Sequence, residues 1–352
     1  MYRTSSTSAP LAAGAYPVEL LTGFAPRLIA WQREHGRHDL PWQNTRDPYR
    51  IWLSEIMLQQ TRVVAVLAHY QQFLRRFPTV HKLAAAREAS VLAAWSGLGY
   101  YRRARMLHAA AKEIVHHLNG NFPATAERWR ALPGIGRYTA AAIASIAFDE
   151  PVAVVDGNVE RVLDRVFGRP LAGHQSWSAA GHFLDPDRPG DFNQSMMELG
   201  ATVCTPRAPA CLVCPVTEFC ATRGELANPS KPPRQKKREI HYSLVCRSNC
   251  GRNSEVFLVQ RPRDARLMPA MWELPEIPPP QDHPMPALTL RHSITVTDYS
   301  VLVHRTSAPP HVKGKWIPVE NLPKTALTGL ARKILRKDSP KKRTLPNLAV
   351  LA

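Results

Sequence analysis

Leu132-Pro133-Gly134-Ile135-Gly136-Arg137-Tyr138-Thr139-Ala140 places two glycines in a tight hairpin directly before an alanine-rich stretch. Glycine accepts the backbone angles and close approach that such a hairpin needs. The stretch therefore reads as a hairpin feeding a helix, with the backbone of Gly134, Gly136 and Arg137 and the helix N-terminus presented to an anion. An ordinary connection between two helices carries the same signature, and the charge of the chain favours the anion. Forty-six Lys and Arg stand against 28 Asp and Glu, a formal charge of +18, which is the sign and size that attract a polyphosphate partner.

Around the hairpin, residues 20–225 are rich in Ala and Leu at helical spacing, as in Ile51–Leu74 and Ser90–Leu118, so this region reads as all-helical. Asn228–Arg238 (NPSKPPRQKKR) combines three prolines with five basic residues and no acid, a composition that buries no core, so 226–240 reads as a linker. Beyond it, Ser243–Val245, Val256–Gln260, Ser293–Thr297 and Val301–His304 are short β-branched runs between prolines and glycines. With a weak helix at Leu327–Leu335 they make 241–336 a smaller α+β domain. The first 19 residues and the basic tail 337–352 read as disordered, and no internal repeat is present. No stretch approaches the roughly 20 apolar residues of a spanning helix and the start lacks a secretory signal. The expectation is a cytoplasmic, nucleoid-associated monomer with no membrane role.

Six cysteines in 352 residues are too few for a disulfide scaffold. Four of them follow the pattern Cys204-x6-Cys211-x2-Cys214-x5-Cys220. Four thiolates this close suit a [4Fe–4S] cluster or a structural zinc, and the spacing alone does not decide between them. Cys246 and Cys250 stand apart and read as unligated thiols.

Two acids stand out by context. Glu55 lies inside the largely apolar Trp52-Leu53-Ser54-Glu55-Ile56-Met57-Leu58-Gln59-Gln60-Thr61, where desolvation raises a carboxyl's pKa as a general acid requires; a solvated helix face is the competing reading. Asp156 follows the apolar run Val152–Val155 in Val155-Asp156-Gly157-Asn158-Val159, where a turn residue or helix N-cap is the competing reading. The two are about a hundred residues apart in sequence, and the sequence does not show that they meet.

In order along the chain, WLSEIMLQQT, GLGYYRRAR, LPGIGRYTA, VDGNVER and the four-cysteine pattern resemble the helix–hairpin–helix DNA glycosylases of the endonuclease III superfamily, in particular the adenine-specific MutY branch. The resemblance covers residues 20–225 and continues more weakly beyond. It implies two helical lobes about a DNA cleft and a [4Fe–4S] cluster on Cys204, Cys211, Cys214 and Cys220. Glu55 matches the acid that protonates adenine at N7, and Asp156 the carboxylate that stabilises the oxocarbenium-like sugar, with Asn158 orienting it. Tyr138 holds the hairpin position at which endonuclease III enzymes carry a lysine nucleophile, and a phenol forms no Schiff base. Gln60 and Tyr100 match residues inserted into the duplex when the base leaves it, with Arg102, Arg103 and Arg105 nearby to serve phosphates.

The C-terminal part resembles the family's Nudix-like module, in Val256–Pro262 and Leu267–Pro275, but lacks the glutamates that would hold Mg²⁺. The family reads 8-oxoguanine with a Phe-Ser-His loop, and here Ile294-Thr295-Val296 stands in that place, so Thr295 keeps a hydroxyl while the histidine is missing. The expected partner is duplex DNA with an A·8-oxoguanine or A·G mismatch. The competing readings are an endonuclease III-like pyrimidine-lesion glycosylase with lyase activity and a non-catalytic iron–sulfur DNA-binding protein.

Overall fold

A computed structural model describes residues 18–226, 236–249, 253–282, 284–294, 296–307 and 311–338. The expectations for residues 1–17, 227–235 and 339–352, and for Cys250 and Thr295, fall outside the described residues.

In chain order the helices are α1 (Val18–His35), α2 (Pro48–Leu58), α3 (Val63–Arg76), α4 (Val80–Ala84), α5 (Glu88–Trp95), α6 (Arg102–His117), α7 (Ala126–Arg130), α8 (Arg137–Phe148), α9 (Gly157–Val166), α10 (Gly173–Phe183), α11 (Pro189–Thr202) and α12 (Gly329–Asp338). The strands are β1 (Lys236–Leu244), β2 (Cys246–Asn249), β3 (Asn253–Gln260), β4 (Trp272–Glu273), β5 (Glu276–Ile277), β6 (Leu288–Ile294), β7 (Thr297–Arg305) and β8 (Gly314–Pro318). A helical region thus precedes an α+β region. Among the described residues no helix is long and apolar enough to cross a membrane.

Contacts divide the chain into Met1–Ile56 with Asn121–Pro229, and Met57–Gly120 with Ser230–Ala352. The sequence reading drew its boundary at 226–240, yet the helical segment 57–120 groups with the C-terminal region. The reason is visible at Leu327, whose carbonyl accepts hydrogen bonds from Ser96 Oγ at 2.8 Å and the Tyr101 hydroxyl at 3.1 Å. The basic run read as linker also enters the fold, because Lys236–Ile240 form the first half of β1.

In the first unit α1, α8, α9, α10 and α11 share a core that includes Phe24, Leu28, Ala141, Val159, Leu163, Phe183, Phe192 and Leu199. Each such buried Leu, Val or Phe contributes about 1.5–3 kcal/mol. Asp47 caps α2 by accepting the Tyr49 N–H at 2.9 Å, and Pro48 occupies the first helical position, where no N–H is needed. Along α2, Tyr49, Trp52, Leu53 and Ile56 are buried, and so are Ile51 and Met57. A helix apolar on nearly all sides is an interior helix, and it carries Glu55 inward with it. Trp52 fixes its depth by packing on Trp129 of α7, with ring centroids 5.8 Å apart.

In the second unit α3 buries Val66, Tyr70 and Phe73, four and three residues apart, and Phe73 meets Trp95 of α5 edge-on at 6.0 Å. The C-terminal residues form one sheet of order β5-β1-β7-β6 and a second in which β3 pairs with β2, β4 and β8. β1 and β7 are parallel, with Ile240 opposite Val301 and Tyr242 opposite Val303. Leu330, Ala331 and Ile334 of α12 close the core against Leu244, Leu258, Val301 and Val303.

Two long helical stretches of the sequence are interrupted. Ile51–Leu74 breaks between α2 and α3 at Gln60, with φ of 53°, and Ser90–Leu118 breaks between α5 and α6 at Tyr100, with φ of 48°. Left-handed backbone at a non-glycine residue is uncommon and concentrates where a turn presents a side chain. The run Ser293–Thr297 is not one strand either, since it spans the end of β6 and the start of β7.

Candidate active site

Glu55, Tyr138, Asp156 and Asn158 belong to one unit and come together there. Glu55 is 8% exposed. Burial pushes its carboxyl up to about 7, a hydrogen bond from Tyr138 pulls it down and the negative charge of Asp156 pushes it up again. A carboxylic acid with that value holds its proton near neutral pH. Burial pushes the Tyr138 phenol well above its ordinary value, and the charges of Glu55 and Asp156 and the bond to Glu55 push the same way. Tyr138 is thus a neutral hydroxyl at working pH, and its single hydrogen is shared between Glu55 and Met197 Sδ, which lies at 3.1 Å.

Asp156 is the N-cap of α9, so the structural reading of this residue holds alongside its place in the site. Its Oδ1 accepts the backbone N–H groups of Asn158 at 2.9 Å and Val159 at 2.8 Å, and its Oδ2 accepts Asn158 Nδ2 at 3.1 Å. The extended segment leading into it is anchored by buried Asn193, which accepts the Val154 N–H at 3.1 Å and donates to the Val152 carbonyl at 2.8 Å. An acid with its proton beside a hydrogen-bonded carboxylate can protonate a leaving group and stabilise a cationic centre.

Arg161, one helical turn beyond Asn158 and not singled out in the sequence, holds that amide in place. Its Nη2 donates to Asn158 Oδ1 at 2.8 Å and to the Gly200 carbonyl at 2.6 Å, and its Nε donates to the Cys204 carbonyl at 2.8 Å. Gly200 is required by packing, because a Cβ there would stand 2.6 Å from Asn158 Cβ. A lone glycine inside the helical pattern Met197–Thr202 was the available signal.

Cys204, Cys211, Cys214 and Cys220 lie on the loop that follows α11, around two short 3₁₀ turns. Among the described residues no three His, Cys, Asp or Glu side chains gather at the spacing of a single metal ion. The donors around the sulfurs nonetheless suit thiolates. Arg165 Nη1 donates to Cys204 Sγ at 3.2 Å and the Arg223 N–H to Cys220 Sγ at 3.4 Å. Burial and the charges of the other three cysteines push the Cys214 thiol up to about 11.

The hairpin joins α7 to α8. Gly134 has φ of 76°, which a glycine adopts freely, and Gly136 caps α8 with open space where a Cβ would stand. The Arg137 guanidinium lies 3.8 Å above the Trp177 ring.

Gln60 and Tyr100 belong to the other unit, both exposed. Arg103, read from sequence as a phosphate contact, is instead occupied with carbonyls. It donates to Met57 O at 3.0 Å, Gln59 O at 2.5 Å and Leu98 O at 3.4 Å. Its guanidinium also lies over the Tyr100 ring at 5.3 Å. It therefore ties the Gln60 turn to the Tyr100 turn. Burial lowers it to about 10, so it stays charged. Arg105 is likewise engaged, with Glu88 at 3.0 Å and the Pro269 carbonyl at 2.6 Å. Val296, next to the position of Thr295, is 45% exposed.

Residues 53–173 match the HhH-GPD superfamily of base excision DNA repair proteins. The mouse adenine DNA glycosylase is 36% identical over 404 aligned residues, which cover 90% of this chain and 78% of that protein. A solved thermostable thymine-DNA glycosylase is 28% identical with a TM-score of 0.55, over 58% of this chain and 97% of its own. An endonuclease III–DNA complex, at 20% identity and a TM-score of 0.50 over 56% and 92%, shares the fold.

Proposed function

Because the chain belongs to the adenine DNA glycosylase family, we propose that Glu55 and Asp156 divide the work of cutting adenine from its deoxyribose. The enzyme is an adenine DNA glycosylase of base excision repair. The observation that carries the division of labour is the buried Glu55 carboxyl, pushed up to about 7, beside an Asp156 that accepts three hydrogen bonds.

Glu55 delivers its proton to N7 of an adenine that has left the duplex, at a cost of a few kcal/mol in unstacking. The neutral ring then departs with the electrons of the glycosidic bond. Asp156 faces the cation left on the sugar and holds it until water adds, with Asn158 fixing the carboxylate and Arg161 fixing Asn158. Tyr138 offers no amine, so the sugar cation is captured by water, the deoxyribose stays in the chain and the strand stays uncut. Gln60 and Tyr100, on turns joined through Arg103, fill the space the base vacates. The hairpin of Gly134, Gly136 and Arg137 holds a phosphate at the N-terminus of α8.

Cys204, Cys211, Cys214 and Cys220 hold a [4Fe–4S] cluster, for which the N–H groups directed at Cys204 and Cys220 are support. Bound there, a cluster would tie the four cysteines of the loop to one another. The C-terminal region serves as a Nudix-like reader of the base opposite adenine. With Thr295 and Val296 in the reading loop, its preference for A·8-oxoguanine over A·G is real but reduced, since one base contact is worth about 1–3 kcal/mol. Base release from A·8-oxoguanine, A·G, A·C and thymine glycol duplexes tests the reading. Adenine release led by A·8-oxoguanine supports it, and thymine glycol release with a borohydride-trapped adduct contradicts it.

A further inference from the structure

The second unit contains a cavity of about 870 Å³, lined by the Tyr100 turn, the loop Leu267–Pro269, the strand end His292–Ile294 and one face of α12. Seven of its nineteen lining residues carry a positive charge and none a negative one. Four of the seven come from α12. Its sequence Gly-Leu-Ala-Arg-Lys-Ile-Leu-Arg-Lys-Asp turns Leu330, Ala331 and Ile334 to the core. Arg332 with Arg336 and Lys333 with Lys337, each pair four residues apart, then stand as neighbours along the remaining surface, where like charges repel.

Burial and Arg336 both act to lower the Arg332 guanidinium below its ordinary value, and burial together with Lys333 lowers His292. Arg332 Nη2 reaches the Ala93 carbonyl at 3.4 Å and Lys333 Nζ the Arg291 carbonyl at 2.7 Å. Arg336 and Lys337 are exposed and have no acidic partner among the described residues. The fold anchors α12 through its apolar side and leaves Arg336 and Lys337 exposed on the other.

We propose that this face of α12 is a phosphate-binding surface, on which Arg336 and Lys337 hold successive phosphates of the DNA strand opposite the adenine. The strand assignment rests on the function proposed above. The adenine nucleotide leaves the duplex for Glu55 and Asp156, whereas the base read beside His292–Ile294 belongs to the other strand. Phosphates entering a cavity lined by those residues are therefore that strand's.

The test measures affinity for an A·8-oxoguanine duplex carrying a non-hydrolysable adenine nucleotide, across a range of salt concentrations. Each lost phosphate contact flattens the slope of log affinity against log salt by about 0.9. The double variant R336Q/K337Q should therefore flatten it by about 1.8, while R336K/K337R keeps the wild-type slope. Both positions are exposed, and a thermal melt confirms that each variant folds. Uncharged methylphosphonate linkages placed beside the 8-oxoguanine should weaken wild-type binding to the level of R336Q/K337Q and leave that variant unaffected. An unchanged slope in R336Q/K337Q overturns the proposal. So does a variant deficit that disappears only when the uncharged linkages are in the adenine strand. Adenine release by the wild-type protein is measured in the same preparation, so failure of the functional reading registers separately from failure of this one.

Discussion

Arg161 donates to the side-chain oxygen of Asn158 at 2.8 Å, and this bond decides which way the Asn158 amide faces. With its oxygen held by Arg161, the Asn158 amide nitrogen is left to donate to Asp156 Oδ2 at 3.1 Å. The same guanidinium reaches the Cys204 carbonyl, so the first cysteine of the loop and the carboxylate of the site are linked through two side chains.

Removing that link should misplace Asp156 without removing it. Arg161→Gln is expected to slow single-turnover adenine release by about 10–100-fold, since a displacement near 1 Å can lower a rate by about two orders of magnitude. Affinity for a non-hydrolysable substrate should change far less. Gly200→Ala should act in the same direction, because its Cβ meets Asn158 at 2.6 Å. Wild-type rates in both variants would show that Asn158 needs no such support.

The pH profile should report Glu55. Activity is expected to fall as pH rises through about 7, where the acid loses its proton. The Tyr138 hydrogen bond favours the ionised carboxyl, so Tyr138→Phe should move this limb to higher pH. A limb that stays in place, or moves to lower pH, contradicts the assignment of Tyr138 as a donor to Glu55.

Burial of Glu55 also bears on stability. Its folded pKa of about 7 lies above the ordinary glutamate value of 4.5, so the native state binds more protons than the unfolded chain between these values. Stability contributed by this group is full below about 4.5 and is lost as pH rises towards 7. Glu55→Gln removes the penalty and should raise stability at pH 8 by up to about 3 kcal/mol, with little effect at pH 4. Denaturant unfolding at the two pH values checks this.

The cysteine loop should carry about four irons per chain, with matching labile sulfide. Cys214→Ser should lower both and loosen the loop, read as faster proteolysis between Cys204 and Cys220. Stoichiometric zinc without iron in anaerobically prepared protein contradicts the cluster.

The residues of the candidate site were legible because each sits in a short local pattern. The glycine hairpin, the acid inside an apolar helix and the acid after an apolar run can all be read within ten residues. Contacts made across the fold were not. Nothing local to Arg103 says that its donors are taken by the carbonyls of Met57, Gln59 and Leu98, and a basic residue beside a binding loop reads as a phosphate contact. The break at Gln60 was hidden because helical periodicity continues on both sides of it and no glycine or proline marks it, whereas the break at Tyr100 was signalled by Gly97 and Gly99, whose φ angles are 113° and 72°. The α12 cations were folded into a reading of a weak helix and a basic tail, since only the packing of Leu330 and Ile334 separates the core side from the charged one.

The most direct measurement is single-turnover adenine release from an A·8-oxoguanine duplex by wild type, Glu55→Gln and Asp156→Asn at one fixed salt concentration. Each substitution keeps shape and removes a charge state needed only in the transition state. Both variants are expected to bind the duplex and to release essentially no adenine. Release at near wild-type rates by either one contradicts the division of labour between Glu55 and Asp156.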